Sequence, residues 1–169
     1  AVPHPRPGET LPATTATALV PGTDARFGVI SDVDDTVLQS SVLNWFKLAR
    51  NTFLRSAHAR LSFQGVPCFY RALHQGLWSD ANPIYYLSSS PWNLYDMLTD
   101  FFTLQGLPEG PLFLQDIGLG RDQFITREHS EHKLAYIREI LATHPHLPFV
   151  LIGDSGQHDP EIYAQATQD

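Results

Sequence analysis

At 169 residues, with 43% hydrophobic and 17% charged content, the chain suits one globular domain and is too apolar for wholesale disorder. Its formal charge of −7 argues against a dedicated nucleic-acid binder, because duplex affinity comes largely from basic side chains neutralising phosphates. Cys68 is the only cysteine, so no internal disulfide can form, and no run of about 18 apolar residues is present to span a bilayer.

Residues 1–24 are rich in Pro, Thr and Ala and lack periodicity, which reads as a flexible tail or linker. No charged segment followed by an apolar stretch precedes the fold, so no signal peptide is expected, and the expected setting is the cytoplasm or the periphery of a membrane. Residues 25–169 read as one folded domain. Four short apolar runs within it suit buried strands: FGVIS at 27–31, PIYYLS at 83–88, PLFLQ at 111–115 and PFVLIG at 148–153. Segments with helical spacing lie between them, such as Leu134, Ile137 and Leu141. Alternating strands and helices predict an α/β fold with a doubly wound parallel sheet covered on both faces. Asp32, Ser88, Asp116 and Asp154 fall at or just after the strand ends, where open α/β sheets bind their ligands.

The first strand runs into SDVDDTV, which crowds Asp32, Asp34 and Asp35 into four positions. Their repulsion and desolvation would be costly without a cation, and a hard divalent metal relieves both. Alternation along an extended segment sends Asp32 and Asp34 to one side, with Thr36 tying the turn to its own backbone. A plain acidic turn is the alternative, since this pattern arises by chance in about one chain in twenty of this length.

From Asp35 to Asp80 there is no acidic residue, yet Lys47, Arg50, Arg55, Arg60 and Arg71 all fall between them. The same stretch carries Trp45, Phe46, Phe53, Phe63, Phe69, Tyr70 and Trp78. Basic and aromatic residues together suit an anionic lipid surface, so residues 42–78 are a candidate for peripheral membrane contact. The ordinary alternative packs the aromatics on the sheet and leaves the cations solvated.

Ser88, Ser89 and Ser90 lie between the second strand and Pro91. Ser90 is the expected N-cap of the helix WNLYDMLTDFF, and Ser88 points into the crevice. Hydroxyls and free N–H groups at a helix start make a ready phosphate site, which includes Ser89, though a run of serines also makes an ordinary turn. Further on, HSEHK predicts a helix capped by Ser130, placing Lys133 in a first turn where the helix dipole disfavours a cation. A buried anion, either the Asp32 carboxylate or a bound phosphoryl group, would explain the position; an exposed pair with Glu128 or Glu131 is the alternative. His129 and His132 lack cysteine partners and do not make a zinc set.

GDSGQHD supplies a second acidic cluster. Gly153 permits close backbone approach, and Asp154 is presented where it could share a metal with Asp32. Asp159 precedes Pro160, as capping aspartates do, and a hydrogen bond to metal-bound water is compatible with that.

Taken in order, DVDDTV, a strand ending in Ser, Lys at a helix start and GDSGQHD resemble the four motifs of the haloacid dehalogenase superfamily of phosphotransferases. The longer strings ARFGVISDVDDTV, YYLSSSPWNLY, LPEGPLFLQD and FVLIGDSGQHDPEIYA look like the catalytic domain of actin-patch-protein-type phosphatidate phosphatases, relatives of the lipins. This resemblance covers nearly everything after residue 24. It implies that Asp32 attacks phosphorus, that Asp34 protonates the leaving oxygen and later deprotonates water, and that Ser88 and Lys133 hold the non-bridging oxygens. Asp32, Asp154 and the main-chain carbonyl of Asp34 would bind Mg²⁺, with Asp159 assisting. The superfamily core usually has a fifth strand, whereas this chain stops one helix after GDSGQHD. The sheet is therefore expected to lack an edge or to be truncated at its C-terminal side. An insert of about 50 residues after the first motif is too short for a large roof, so the cap is expected to be small or absent.

The expected activity is Mg²⁺-dependent hydrolysis of a phosphomonoester through an aspartyl phosphate, with phosphatidate or a related phospholipid as substrate. A phosphatase of soluble sugar, nucleotide or protein phosphates is one alternative. A non-catalytic phospholipid-binding module is the other.

Overall fold

Four apolar runs become four parallel strands. The computed structural model describes residues 18–34, 37, 65–77, 80–115, 125–154 and 159–168, and of 125–130 the backbone only. Strand β1 is Gly28–Asp32, β2 Ile84–Pro91, β3 Leu112–Gln115 and β4 Phe149–Ile152. They lie in the order β3-β2-β1-β4, with β1 parallel to both neighbours and β2 parallel to β3. The chain thus builds outward from β1 through β2 to β3, then returns to the other side of β1. That reversal is the switch point of a doubly wound sheet, and it leaves a crevice at the carboxyl ends of β1 and β4.

Reversing direction also decides which face each helix covers. Helices α1 (Val66–Gln75) and α2 (Tyr95–Gln105) pack on one face, where Tyr70, Leu98, Phe101 and Phe102 meet Val29, Ile84 and Tyr86. Helices α3 (Ile125–Thr143) and α4 (Asp159–Ala166) cover the other, where Leu134, Ile137, Ile140 and Ile162 meet Ile30, Tyr85 and Leu87. Alternation along β1 therefore sends Val29 and Ser31 toward α1 and α2, and Ile30 and Asp32 toward α3 and α4. Helix α2 stops where Gly106, at φ 67°, takes the left-handed conformation and its N–H reaches Phe102 and Thr103.

Two boundaries differ from the local sequence reading. Ser90 is not an N-cap: β2 remains extended through Pro91, and a 3₁₀ turn, Trp92–Leu94, leads into α2 without a side-chain cap. Helix α3 begins at Ile125, five residues before Ser130, so Lys133 sits in its third turn rather than its first. No described helix is long and apolar enough to cross a membrane.

Candidate functional site

The carboxyl end of β1 delivers Asp32 into the space between the sheet and α3, with no solvent exposure. Lys133 enters from α3 and Asp159 from the first turn of α4. The Lys133 ammonium lies 2.7 Å from Asp32 Oδ1 and 2.5 Å from Asp159 Oδ1. One cation thus bridges two buried carboxylates from different ends of the chain. Burial pushes the Lys133 ammonium down, but Asp32 and Asp159 outweigh it and hold its pKa above the ordinary value. Asp32 responds the other way: burial pushes its carboxyl up to about 7, Lys133 opposes, and the negative charges of Asp159 and Asp34 add to the rise.

Asp34, two residues on, is turned toward β2. Ser88 Oγ donates to Asp34 Oδ1 and Oδ2 at 3.2 Å each, and the Ser89 N–H donates to Oδ2 at 2.7 Å. Ser88 Oγ also accepts the Ser90 N–H at 3.0 Å, which fixes the hydroxyl at the strand end. The two serines singled out for phosphate thus present a hydroxyl and a main-chain N–H to an anion, and in this structure that anion is the Asp34 carboxylate.

Asp159 does not cap its own helix in the bonds described. Its Oδ1 takes Lys133, and its Oδ2 accepts the Asp154 N–H at 3.1 Å. That bond ties the residue after Gly153 to α4. Gly153 is required by close approach: a Cβ there would lie 2.3 Å from Asp159 Oδ2 and 2.8 Å from Asp159 Cβ and Cγ. Gly153→Ala is accordingly expected to cost about 1–3 kcal/mol through overpacking, read as a lower thermal midpoint. An unchanged midpoint would show that Asp159 is not seated against this glycine.

The donor chemistry suits a hard divalent cation. Asp32 Oδ2 is buried with no hydrogen-bond donor among the described residues, and such an orphaned carboxylate oxygen calls for a proton or a metal. Among the described residues no three His, Cys, Asp or Glu side chains are gathered as a finished ligand set. A metal held here would complete its shell with main-chain carbonyl, water or substrate oxygens, as Mg²⁺ commonly does.

Ser31 and Tyr70 support the site in a way that no motif of the sequence marks. Ser31 Oγ donates to the Asp32 carbonyl at 2.8 Å, and it pairs with Tyr70 OH at 2.5 Å. Since the serine hydrogen goes to the carbonyl, Tyr70 is the donor in that second bond, and the chain steadies the backbone that carries Asp32. A serine inside an otherwise apolar strand was the only available signal. Of the basic aromatic stretch 42–78, Tyr70 is buried on the sheet, Phe69 is half exposed, and Arg71 donates to the Gly106 carbonyl. Asp35, Thr36, Asp116 and most of that stretch lie outside the described residues, as do residues 1–17.

Comparison with known proteins places this geometry in context. The family model of the phosphatidate phosphatase APP1 catalytic domain matches residues 27–169. Phosphatidate phosphatase APP1 of Saccharomyces cerevisiae is 32% identical over 137 residues, covering 80% of this chain and 22% of that protein. An uncharacterized protein of Schizosaccharomyces pombe is 28% identical over 139 residues, covering 81% of this chain and 22% of that protein. The chain therefore spans about a fifth of the length of these curated relatives. A chain from a solved Pnkp1/Rnl/Hen1 complex superposes with a TM-score of 0.41 at 19% identity, over 86% of this chain and 53% of that one, which is too loose to carry a functional argument.

Proposed function

Since the chain belongs to the phosphatidate phosphatase APP1 catalytic-domain family, we propose that it hydrolyses phosphatidate or a closely related lipid phosphate, with Asp32 as nucleophile and Mg²⁺ as cofactor. The observation that carries this reading is the buried Asp32 carboxylate, held by Lys133 on one oxygen and, among the described residues, without a hydrogen-bond partner on the other. A carboxylate shielded from water, beside one cation and oriented by its neighbours, is suited to attack rather than to structural pairing.

In the first step the Asp32 carboxylate attacks phosphorus, and the bond from phosphorus to the alcohol oxygen breaks. Asp34 passes its proton to that leaving oxygen, so the alcohol departs neutral. Water then attacks the aspartyl phosphate, Asp34 takes a proton from the water, and the bond between phosphorus and Asp32 breaks to release inorganic phosphate. Ser88, the Ser89 N–H and Lys133 neutralise charge on the non-bridging oxygens as it grows. For a phosphoryl group to use the two serines, the Asp34 carboxylate must leave them. Asp32, Asp154 and the main-chain carbonyl of Asp34 are the residues that would hold Mg²⁺, with Asp159 supporting Asp154. When bound, the metal supplies positive charge that lowers the Asp32 pKa and polarises the phosphoryl group. A lipid substrate places the reaction at a membrane surface, and residues 42–78 are the proposed peripheral contact.

Phosphate release measured on phosphatidate vesicles and on soluble sugar, nucleotide and peptide phosphates tests the reading. With Mg²⁺, release is expected from the vesicles and is expected to fall to background in EDTA. Turnover confined to the soluble esters would transfer the assignment to a soluble-substrate phosphatase. Lipid binding without any release would make the domain a binding module.

A further inference from the structure

The carboxyl end of the sheet carries more than the groups assigned to catalysis. Beyond Ser88 and Ser89, β2 ends at Pro91, and the chain turns through the 3₁₀ segment Trp92–Leu94 into α2. Leu94 is buried and roots this turn in the core, while Trp92 and Tyr95 on either side of it stay 49% and 41% exposed. Their rings stack on one another, with centroids 5.8 Å apart and planes 27° from parallel. The two rings therefore form one apolar plate at the rim of the proposed site.

Where the exposed apolar groups fall separates this plate from ordinary surface residues. Among the described residues the exposed aromatics are Phe69, Trp92 and Tyr95. All three lie at the carboxyl end, because α1 and α2 both run back from it: Phe69 is in the first turn of α1, next to the Tyr70 that reaches Ser31, and Tyr95 opens α2. Leu77 and Leu104, exposed past the end of α1 and in the last turn of α2, are single aliphatic residues at the opposite end and need no explanation. We propose that the stacked pair of Trp92 and Tyr95 is an anchor that enters the headgroup level of a bilayer and seats the carboxyl end of the sheet on it. The inference rests on the phosphatase reading for its partner, and it adds a contact that the cations of residues 42–78 do not make.

Ring chemistry, position and charge favour that partner. Indole and phenol each present an apolar body with a polar tip, and they settle where hydrocarbon meets water. They have few rotatable bonds, and the stack already restricts those, so little side-chain entropy is lost on insertion. A phospholipid held in a bilayer by its acyl chains must meet a site that faces the bilayer, and the plate follows directly on the strand whose end carries Ser88 and Ser89. Attraction to anionic headgroups is not the source of this contact, since Asp96 is exposed next to Tyr95 and the chain carries a formal charge of −7. Insertion is accordingly expected to work on zwitterionic lipid and to persist in salt, unlike a contact made by Lys and Arg.

Co-sedimentation with phosphatidylcholine vesicles, in EDTA and about 0.5 M salt, is the test. Without phosphatidate or metal the catalytic site is idle, so failure of the anchor and failure of the phosphatase reading are told apart. The wild-type chain is expected to sediment with the vesicles, and the double variant Trp92→Ala, Tyr95→Ala to need about tenfold more lipid for half-maximal binding, because two rings no longer leave water. The double variant Leu77→Ala, Leu104→Ala, altered at the opposite end, is expected to stay within about twofold of wild type. Trp92→Phe keeps a ring and is expected to bind within about threefold of wild type, while losing most of the tryptophan quenching that bromine-labelled phosphatidylcholine produces. Wild type left in the supernatant overturns the proposal, as does equal binding by wild type and the Trp92→Ala, Tyr95→Ala variant, or an equal loss in the Leu77→Ala, Leu104→Ala variant. Quenching that is unchanged in Trp92→Phe overturns it too, and that comparison decides the matter even if the double variant fails to fold. A wild-type dimer that the Trp92→Ala, Tyr95→Ala variant dissolves, with no binding to vesicles, would give the plate to a second copy of the chain instead.

Discussion

Lys133→Met is expected to lower the stability of the folded chain by about 3–5 kcal/mol near neutral pH and to reduce phosphate release at least ~100-fold. The two losses share a cause. The ammonium is the charge between Asp32 Oδ1 and Asp159 Oδ1, and neither carboxylate is meaningfully exposed. Met replaces the length of the side chain but not its charge, so the residual cost is electrostatic rather than a cavity. Removing one member of a buried ionic cluster is far costlier than never having built it, because the remaining charges keep their desolvation penalty. Acidification should rescue part of the variant's stability, since protonating either carboxylate removes the repulsion. Urea midpoints at pH 5 and pH 8 measure this. Equal midpoints for wild type and variant at pH 8 would show that Lys133 is solvated and contributes nothing to this cluster.

That cluster was partly legible in the sequence, and the reason it was only partly so is physical. The four strands could be placed within a few residues because a buried parallel strand is a continuous apolar run, and FGVIS, PIYYLS, PLFLQ and PFVLIG are all of that kind. Helix starts were read from local caps, and Ser130 misled: it lies inside α3, which begins at Ile125. The first-turn position that Ser130 implies for Lys133 is not the one it occupies, since the helix starts at Ile125. The anion inferred from that position is nevertheless there, in Asp32. Ser90 misled in the same manner, because its N–H is satisfied by Ser88 Oγ while the backbone stays extended. What local pattern could not show is pairing across long separations. Asp32 with Lys133, Asp34 with Ser88 and Ser31 with Tyr70 are each set by topology, and only the order of strands in the sheet brings them together.

Asp32→Asn is expected to move activity and stability in opposite directions. Loss of the nucleophile should drop phosphate release by at least ~10³-fold, as removal of a covalent-catalytic residue does. Stability follows from linkage. The Asp32 carboxyl is held at about 7 in the folded chain, above its unfolded value of about 3.9, so the folded state binds the proton more tightly. Without a metal, stability is therefore greatest on the acid side and declines as pH rises from about 4 through about 7. Three pKa units correspond to on the order of 4 kcal/mol for this fully buried group. Asparagine has nearly the same shape and no charge to desolvate, and it leaves the Lys133 to Asp159 pair in place. In EDTA, the Asp32→Asn variant should thus lack the wild-type decline between pH 5 and pH 8 and should be the more stable of the two at pH 8. Added Mg²⁺ should reverse that order, because a ligand stabilises only the form that binds it and the orphaned Asp32 Oδ2 is the oxygen proposed to do so. Denaturant curves at two pH values, with and without Mg²⁺, contain the whole comparison. A variant that is less stable than wild type at pH 8 in EDTA would mean that the Asp32 charge is structural, satisfied by Lys133 alone, and not held in reserve for a cation and a phosphoryl group.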